Sequence, residues 1–224
     1  MTTNEGVIKY QLDYSPGPPL DVTTLSELNA WRRILYMTEL ISQDPARYDG
    51  YGFGNISCRL APFDRPVNYR AFAITGTQTG DVAHLTPEHF TTVVAYHPER
   101  NLLVGEGPIR PSSESLTHGT VYDQDPELRW VMHVHSPELW HNADALEIPV
   151  TAVDIPYGTP EMAAEAARLF RETDVSARRI FSMGGHEDGI VTFGRTADEA
   201  GSVLLGMLAR ALALVDVQSE SVNS

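Results

Sequence analysis

Apolar residues first settle into a helical rhythm at Thr24. Leu25, Leu28, Trp31, Ile34, Leu35, Met37 and Ile41 share one broad face and predict a helix that ends near Pro45. Ahead of it, residues 1–22 hold one short alternating run, VIKYQLDY, and the breaker SPGPPL, and read as an extension. The glycine-rich DGYGFGNIS leads into a strand with Ile56, Cys58 and Leu60 on one face, and AFAIT predicts another strand. LTPEHF predicts a short helix with Thr86 as N-cap and Pro87 in its first turn, and PSSESLTHGTVY a helix opening at Ser112 or Ser113. WVMHVH predicts a strand, and TPEMAAEAARLFRE a helix capped by Thr159 with Pro160 at its first position. RIFSM and GIVTFG predict strands on either side of GGHED. A capping box, Thr196 with Glu199, opens a last helix carrying Val203, Leu204, Met207, Leu208, Ala211 and Leu214, and VDVQSESVNS reads as a loose tail.

Short strands interleaved with helices predict one α/β domain with a mostly buried sheet. The divisions are an N-terminal extension, residues 1–22, a catalytic domain, residues 23–215, and a flexible C-terminal tail, residues 216–224. A length of 224 residues suffices for one full core, and 42% hydrophobic with 21% charged residues is ordinary globular composition. The N-terminal residues lack the apolar stretch of a signal peptide, and no run is expected to span a bilayer. Cys58 is the single cysteine, so no intrachain disulfide can form, which fits a reducing cytoplasm. A formal charge of −14 argues against a nucleic-acid partner, because that affinity comes mainly from Lys and Arg on phosphates. A small anion can still be held at a metal or a helix N-terminus.

The strand WVMHVH carries two histidines. Residues two apart on a strand share a face, so His133 and His135 project together with Val131 as neighbour, while Trp130, Met132 and Val134 face a core. Two adjacent imidazoles can reach one ion at about 2.0–2.1 Å per Zn–N bond, although the same pair also suits two hydrogen-bonded strand residues. Of the other histidines, His84, His89, His97 and His141 lie in polar surroundings and read as solvated, and His118 packs or lines a cleft. His186 follows the strand RIFSM behind two glycines that allow a tight turn, a position suited to a third ligand. Three protein ligands with one open position is the catalytic zinc pattern. Glu187 and Asp188, next in the chain, read equally as acceptors for an imidazole N–H or as plain loop carboxylates.

PSSES joins two serines and Glu114 to the start of a helix, where unpaired N–H groups favour a phosphate or carboxylate; an ordinary N-cap explains the same residues. GFGN at 52–55 and TGTQTG at 75–80 offer similar backbone N–H groups without matching a Walker loop or a dinucleotide fingerprint.

In chain order stand GNISCR, ITGTQTG, RPSSESLTHGTVY, HVHSP, PYGTPEMA and GGHEDGIVTFG. Together they resemble the class II aldolase/adducin family, the group of the fuculose-phosphate and rhamnulose-phosphate aldolases and ribulose-phosphate 4-epimerase, over about Thr24 to Leu214. The resemblance implies a three-layer fold, with a central, mostly antiparallel β-sheet flanked by helices. It also implies a homotetramer whose active sites lie at subunit interfaces. It places His133, His135 and His186 on the metal ligands and Glu114 on the acid/base carboxylate. Gly54, Asn55, Thr79, Gly80, Ser112 and Ser113 fall on the pocket for the substrate phosphate. The implied cofactor is one divalent metal per chain, Zn²⁺ first, with Fe²⁺, Mn²⁺ and Co²⁺ also accepted by imidazole.

The implied activity is that of a lyase acting on a small molecule. It cleaves or forms a C–C bond in a hydroxylated, anionic carbonyl compound through a metal-stabilised enediolate. Several departures bear on the reaction. ITGTQTG is two residues longer than the usual ITPTG, HEDG replaces HG, and Arg110 stands where an apolar residue is common, which suits a second anionic group on the substrate. The proton-donor tyrosine of fuculose-phosphate aldolase has no counterpart, and Tyr157 and Asp154 lie nearby without an assigned role. Epimerisation, dehydration, decarboxylation and metal-dependent oxidation are the alternatives at the same site. A non-catalytic adducin-like scaffold is disfavoured because the three histidines and the glutamate are all present.

Overall fold

A computed structural model describes residues 7–222. Eight strands form the central sheet: β1 (Gln11–Pro16), β4 (Asn55–Arg59), β5 (Phe72–Thr75), β6 (Phe90–His97), β7 (Leu102–Gly107), β8 (Trp130–His135), β9 (Ile180–Ser182) and β10 (Gly189–Gly194). Their spatial order is β1-β7-β6-β5-β4-β8-β10-β9, and every pairing except the parallel β1–β7 edge is antiparallel. A separate two-stranded ribbon joins β2 (Ser42–Gln43) to β3 (Gly52–Phe53).

Alternation along the strands sorts side chains into two cores, one on each face of the sheet. Ile56, Cys58, Trp130, Met132 and Val134 meet α1 (Val22–Met37), α3 (Pro137–His141) and α6 (Ala197–Val222). Ile74, Val93, Val131, Val191 and Phe193 meet α2 (Ser115–Gln124) and α4 (Pro160–Glu172) on the opposite face, with Val175 of the short α5 (Val175–Arg178). Helices on both sides of a mostly antiparallel sheet make the three layers expected.

Several boundaries differ from those read in the sequence, each for a local reason. The first helix stops at Met37 rather than near Pro45: Thr38 caps it, Glu39 takes a left-handed φ of 59°, and the chain doubles back. Leu40 and Ile41 N–H then donate to Leu35 O, and both side chains are buried, so the apolar spacing continues without the helix. The helix expected from Thr86 is a three-residue 3-10 turn, Pro87–His89, which leads directly into β6. The α2 helix opens at Ser115, not at Ser112 or Ser113, because the Ser112 carbonyl accepts from Ser115 N–H in a turn of its own. Periodicity assigns nothing to residues 90–107, where the structure has the β6–β7 hairpin. Both faces of β6 are covered and a bulge at Val93/Ala95 breaks its alternation.

The ends differ as well. Gln11–Pro16, inside the segment read as an extension, is the edge strand of the sheet. Residues 216–222, read as a tail, continue α6 as far as Val222; no glycine or proline interrupts them. Over Ala197–Val217 that helix is long and apolar enough by composition to cross a membrane, contrary to the expectation of no such run. Here its Ala200, Leu204 and Ala211 are buried in the core with β8 and α3.

Candidate metal centre

His133 and His135 lie on the α2/α4 face of β8, as their alternation with Met132 and Val134 requires. His186 reaches them from the β9–β10 connection. Its N–H donates to Met183 O at 3.1 Å and its carbonyl accepts from Gly189 N–H at 2.9 Å, closing a tight turn. Gly184 and Gly185 press this turn onto residues 151–155. A Cβ on Gly184 would sit 2.3 Å from Thr151 O, and one on Gly185 only 1.9 Å from Ile155 O. Close backbone approach therefore requires both glycines.

The three imidazoles converge. One ring nitrogen from each lies within 4.8 Å of the others, all three residues are buried, and the ring centroids are 4.7–5.1 Å apart. Nitrogens bonded to one zinc at about 2.0–2.1 Å lie no more than about 4.2 Å apart. The three rings thus surround a point that small ring rotations would turn into a common ligand set for one divalent ion. His133 Nδ1 lies 3.3 Å from Ile190 O. A carbonyl only accepts, so Nδ1 carries the proton and Nε2 keeps the lone pair a metal needs. Burial pushes the His135 pKa well below its ordinary value, reinforced by His186 and by the Arg47 guanidinium, and keeps the ring neutral as ligation requires.

Glu114 completes the group. It stands at the N-cap position of α2 and is buried; Oε2 accepts from Thr117 Oγ1 at 2.8 Å, and Oε1 lies 3.9 Å from His186 Nδ1. Of the two carboxylates after His186, Glu187 is exposed, whereas Asp188 is buried. Asp188 accepts from Arg47 Nη2 at 3.0 Å and from the Tyr48 hydroxyl. The Tyr48 ring stands edge-on to His135 with centroids 4.7 Å apart, and Phe53 lies 5.2 Å from the same ring. Tyr157 stacks on His186 at 4.4 Å and 23°. No sequence pattern assigns Arg47, Tyr48 or Phe53 to the site. Their only signal is an arginine and aromatics set among the glycines of RYDGYGFGN, a pattern equally suited to a surface loop.

The residues expected to cradle an anion lie on three loops that touch. Asn55 is buried and pairs with His133 across the β4–β8 ladder. Gly54, at φ 77°, has no space for a Cβ, which would fall 2.8 Å from Ile41 Cγ1 and 3.2 Å from His133 O. Gly80 packs on the β3 backbone, where a Cβ would meet Gly52 Cα and Phe53 N at 2.8 Å. Buried Arg32 fixes the same loop by donating from Nη2 to Thr79 O at 2.8 Å and Gly80 O at 3.2 Å. Thr79 Oγ1 donates to Gly76 O, and Gly76 bridges to Pro111, which places this loop beside buried Ser112 and Ser113. Arg110 is exposed. His118 lies inside the core rather than in a cleft, and His84, His89, His97 and His141 stay outside the cluster.

Residues 43–211 match the sequence profile of the family described as the Class II Aldolase and Adducin N-terminal domain. The chain belongs to the class II aldolase/adducin family. Among solved members of this fold, l-fuculose-1-phosphate aldolase from Thermus thermophilus superposes with a TM-score of 0.64 at 21% identity, covering 91% of this chain and 98% of that one. A sugar-phosphate aldolase from Thermotoga maritima gives 0.64 at 17% identity, covering 88% and 95%. Among curated proteins, methylthioribulose-1-phosphate dehydratase of Xanthomonas oryzae pv. oryzae (strain MAFF 311018) is 30% identical over 121 residues, covering 44% of this chain and 52% of that protein. The chain thus spans about half the length of the curated relatives it matches. The family match accords with the three-layer fold and with a metal-dependent site at the histidine cluster.

Proposed function

We propose that this protein is a metal-dependent lyase acting on a small hydroxylated carbonyl compound that carries a phosphate or another anionic group. The observation that carries the reading is the convergence of His133, His135 and His186 with the Glu114 carboxylate 3.9 Å from His186. A divalent cation held there, zinc before iron, manganese or cobalt, would polarise a carbonyl and offset the negative charge that develops beside it.

The chain's own residues supply the rest. Glu114 takes and returns the proton at Oε1, while Thr117 holds Oε2 and fixes the carboxylate plane. Asn55, the Gly54 and Thr79–Gly80 loops and the Ser112–Ser113 turn bind the anionic group and hold the reacting carbons over the histidines. Burial of all these side chains but the glycines excludes bulk water from the proton transfer. Two outcomes share that proton transfer. Retro-aldol C–C cleavage is the main reading, supported by the resemblance to sugar-phosphate aldolases. Loss of water is the second, favoured because the curated relatives are dehydratases of a ketose 1-phosphate.

Fuculose 1-phosphate, rhamnulose 1-phosphate and methylthioribulose 1-phosphate, incubated with the metal-loaded protein and followed by mass spectrometry, separate the readings. Cleavage gives two shorter products, whereas dehydration gives one product lighter by a water. Glu114→Gln should keep the full metal content and lose about 10²–10⁴-fold in rate. Full activity in that variant would remove Glu114 from the mechanism.

A further inference from the structure

Outside the family-matched residues, the N-terminal segment leading into β1 runs over the back of the metal centre. Its backbone is fixed there: Asn101 Nδ2 donates to Lys9 O at 3.0 Å, and Gln11 N–H donates to Asn101 O at 2.8 Å. The buried Tyr10 hydroxyl reaches the serine turn, 2.8 Å from Ser112 O and 3.3 Å from Pro111 O. Between these anchors the Lys9 side chain crosses Gly158, where an added Cβ would meet Lys9 Cδ at 3.7 Å. Lys9 Nζ ends 3.4 Å from the centroid of the Tyr157 ring and donates to Tyr157 O at 3.1 Å.

Tyr157 is the ring that stacks on His186 at 4.4 Å. An ammonium and an imidazole at those two distances cannot share one face, so the phenol is sandwiched between Lys9 and the third ligand. His186 sits on a turn between strands, where Met183 O and Gly189 N–H hold its backbone and the Tyr157 ring lies against its imidazole. The stacked ring therefore restricts the rotation of its imidazole about χ2.

We propose that Tyr157 is a positioning residue for the metal ligand His186, and that Lys9 of the N-terminal segment clamps the far face of its ring. The proposal rests on the metal reading above. Neither residue touches the reacting atoms. Their effect is on how well His186 is presented to the ion and so on metal affinity, in the way that neighbours of a ligand commonly act.

Cobalt(II) titration of the metal-stripped full chain at fixed pH tests this, read by visible absorption and by competition with a chromophoric chelator. The wild type should take up one Co²⁺ per chain with a tetrahedral-type band. Tyr157→Leu should weaken Co²⁺ binding by about 10-fold and alter the band, and Tyr157→Phe, which keeps the ring, should restore both. Lys9→Met, at an exposed position that folding tolerates, should weaken binding about two- to fivefold, with Lys9→Arg retaining the wild-type value. Wild-type affinity and spectrum in Lys9→Met would overturn the clamp, and the same result in folded Tyr157→Leu would overturn the positioning role. Should Tyr157→Leu not fold, Lys9→Met alone decides. A wild-type chain that takes up no Co²⁺ would overturn the metal reading beneath the proposal.

Discussion

His118 lies wholly inside the protein, with Nδ1 2.7 Å from Ser57 Oγ, which in turn lies 2.7 Å from the Tyr122 hydroxyl. Burial pushes its pKa down to about 3 from an ordinary 6.5. Above pH 6.5 the ring is neutral in both the folded and the unfolded chain. As pH falls from there toward 3, the unfolded chain takes a proton that the folded chain refuses, so stability is lost across that window. His118 alone should contribute a slope of roughly 1.4 kcal/mol per pH unit in the middle of it. Urea unfolding of wild type and His118→Asn at several pH values in the window should show the wild type losing stability more steeply by about one proton; equal slopes would contradict the account. Sequence alone left His118 between core and cleft, since a histidine on a helix shows nothing of what faces it. The alternation around His133 and His135 was informative because a strand has only two faces. Asp188 was ambiguous for the same reason as His118: its partners Arg47 and Tyr48 come from a loop some 140 residues away, so no local pattern pairs them.

Among the elements, the turn between β9 and β10 decides whether the centre assembles. The three atoms nearest a Cβ on Gly185 are main-chain atoms of Ile155, at 1.9, 2.5 and 3.0 Å, so the closest clash has no flexible side chain to yield. Gly185→Ala should cost about 1–3 kcal/mol through the backbone shift it forces, read by urea unfolding, and should weaken metal binding because His186 moves with the turn. Unchanged stability and metal affinity would contradict this account of the turn. Helices with a cap and one apolar face, such as α4 with Thr159 and Pro160, were legible in the sequence. The end of α1 was not, because Leu40 and Ile41 keep helical spacing while the chain reverses at Glu39. The β6–β7 hairpin was not either, because a strand buried on both faces carries no alternation.

For the whole molecule, the order of six short motifs indicated the family, and the family indicated the fold. No single pattern in the chain would have drawn an eight-stranded sheet. The β1 edge strand could not be inferred that way, since it lies outside the matched residues and pairs with β7 across some 90 residues of chain. We propose that the chain forms the tetramer the family resemblance implies, with its active sites at subunit interfaces. Val153 is 78% exposed and lies beside the turn that carries the third ligand, as its contact with a Cβ built on Gly184 shows. Val150, 38% exposed, reaches the same Cβ at 3.2 Å, and the two valines together would suit a subunit interface next to the site. Light scattering should give four chains of 24.7 kDa, and Val153→Glu should shift the assembly toward smaller species. A monomeric wild type would contradict an interfacial site.

If the proposed function holds, His133, His135 and His186 bind one divalent ion in each chain. Plasma mass spectrometry of protein purified without an affinity-metal step, before and after reconstitution, measures that ion. About one equivalent of zinc per chain, or of iron, manganese or cobalt in its place, is expected, falling to background in His186→Ala. No stoichiometric metal even after reconstitution, or an equivalent that survives the loss of His186, would contradict the proposed function.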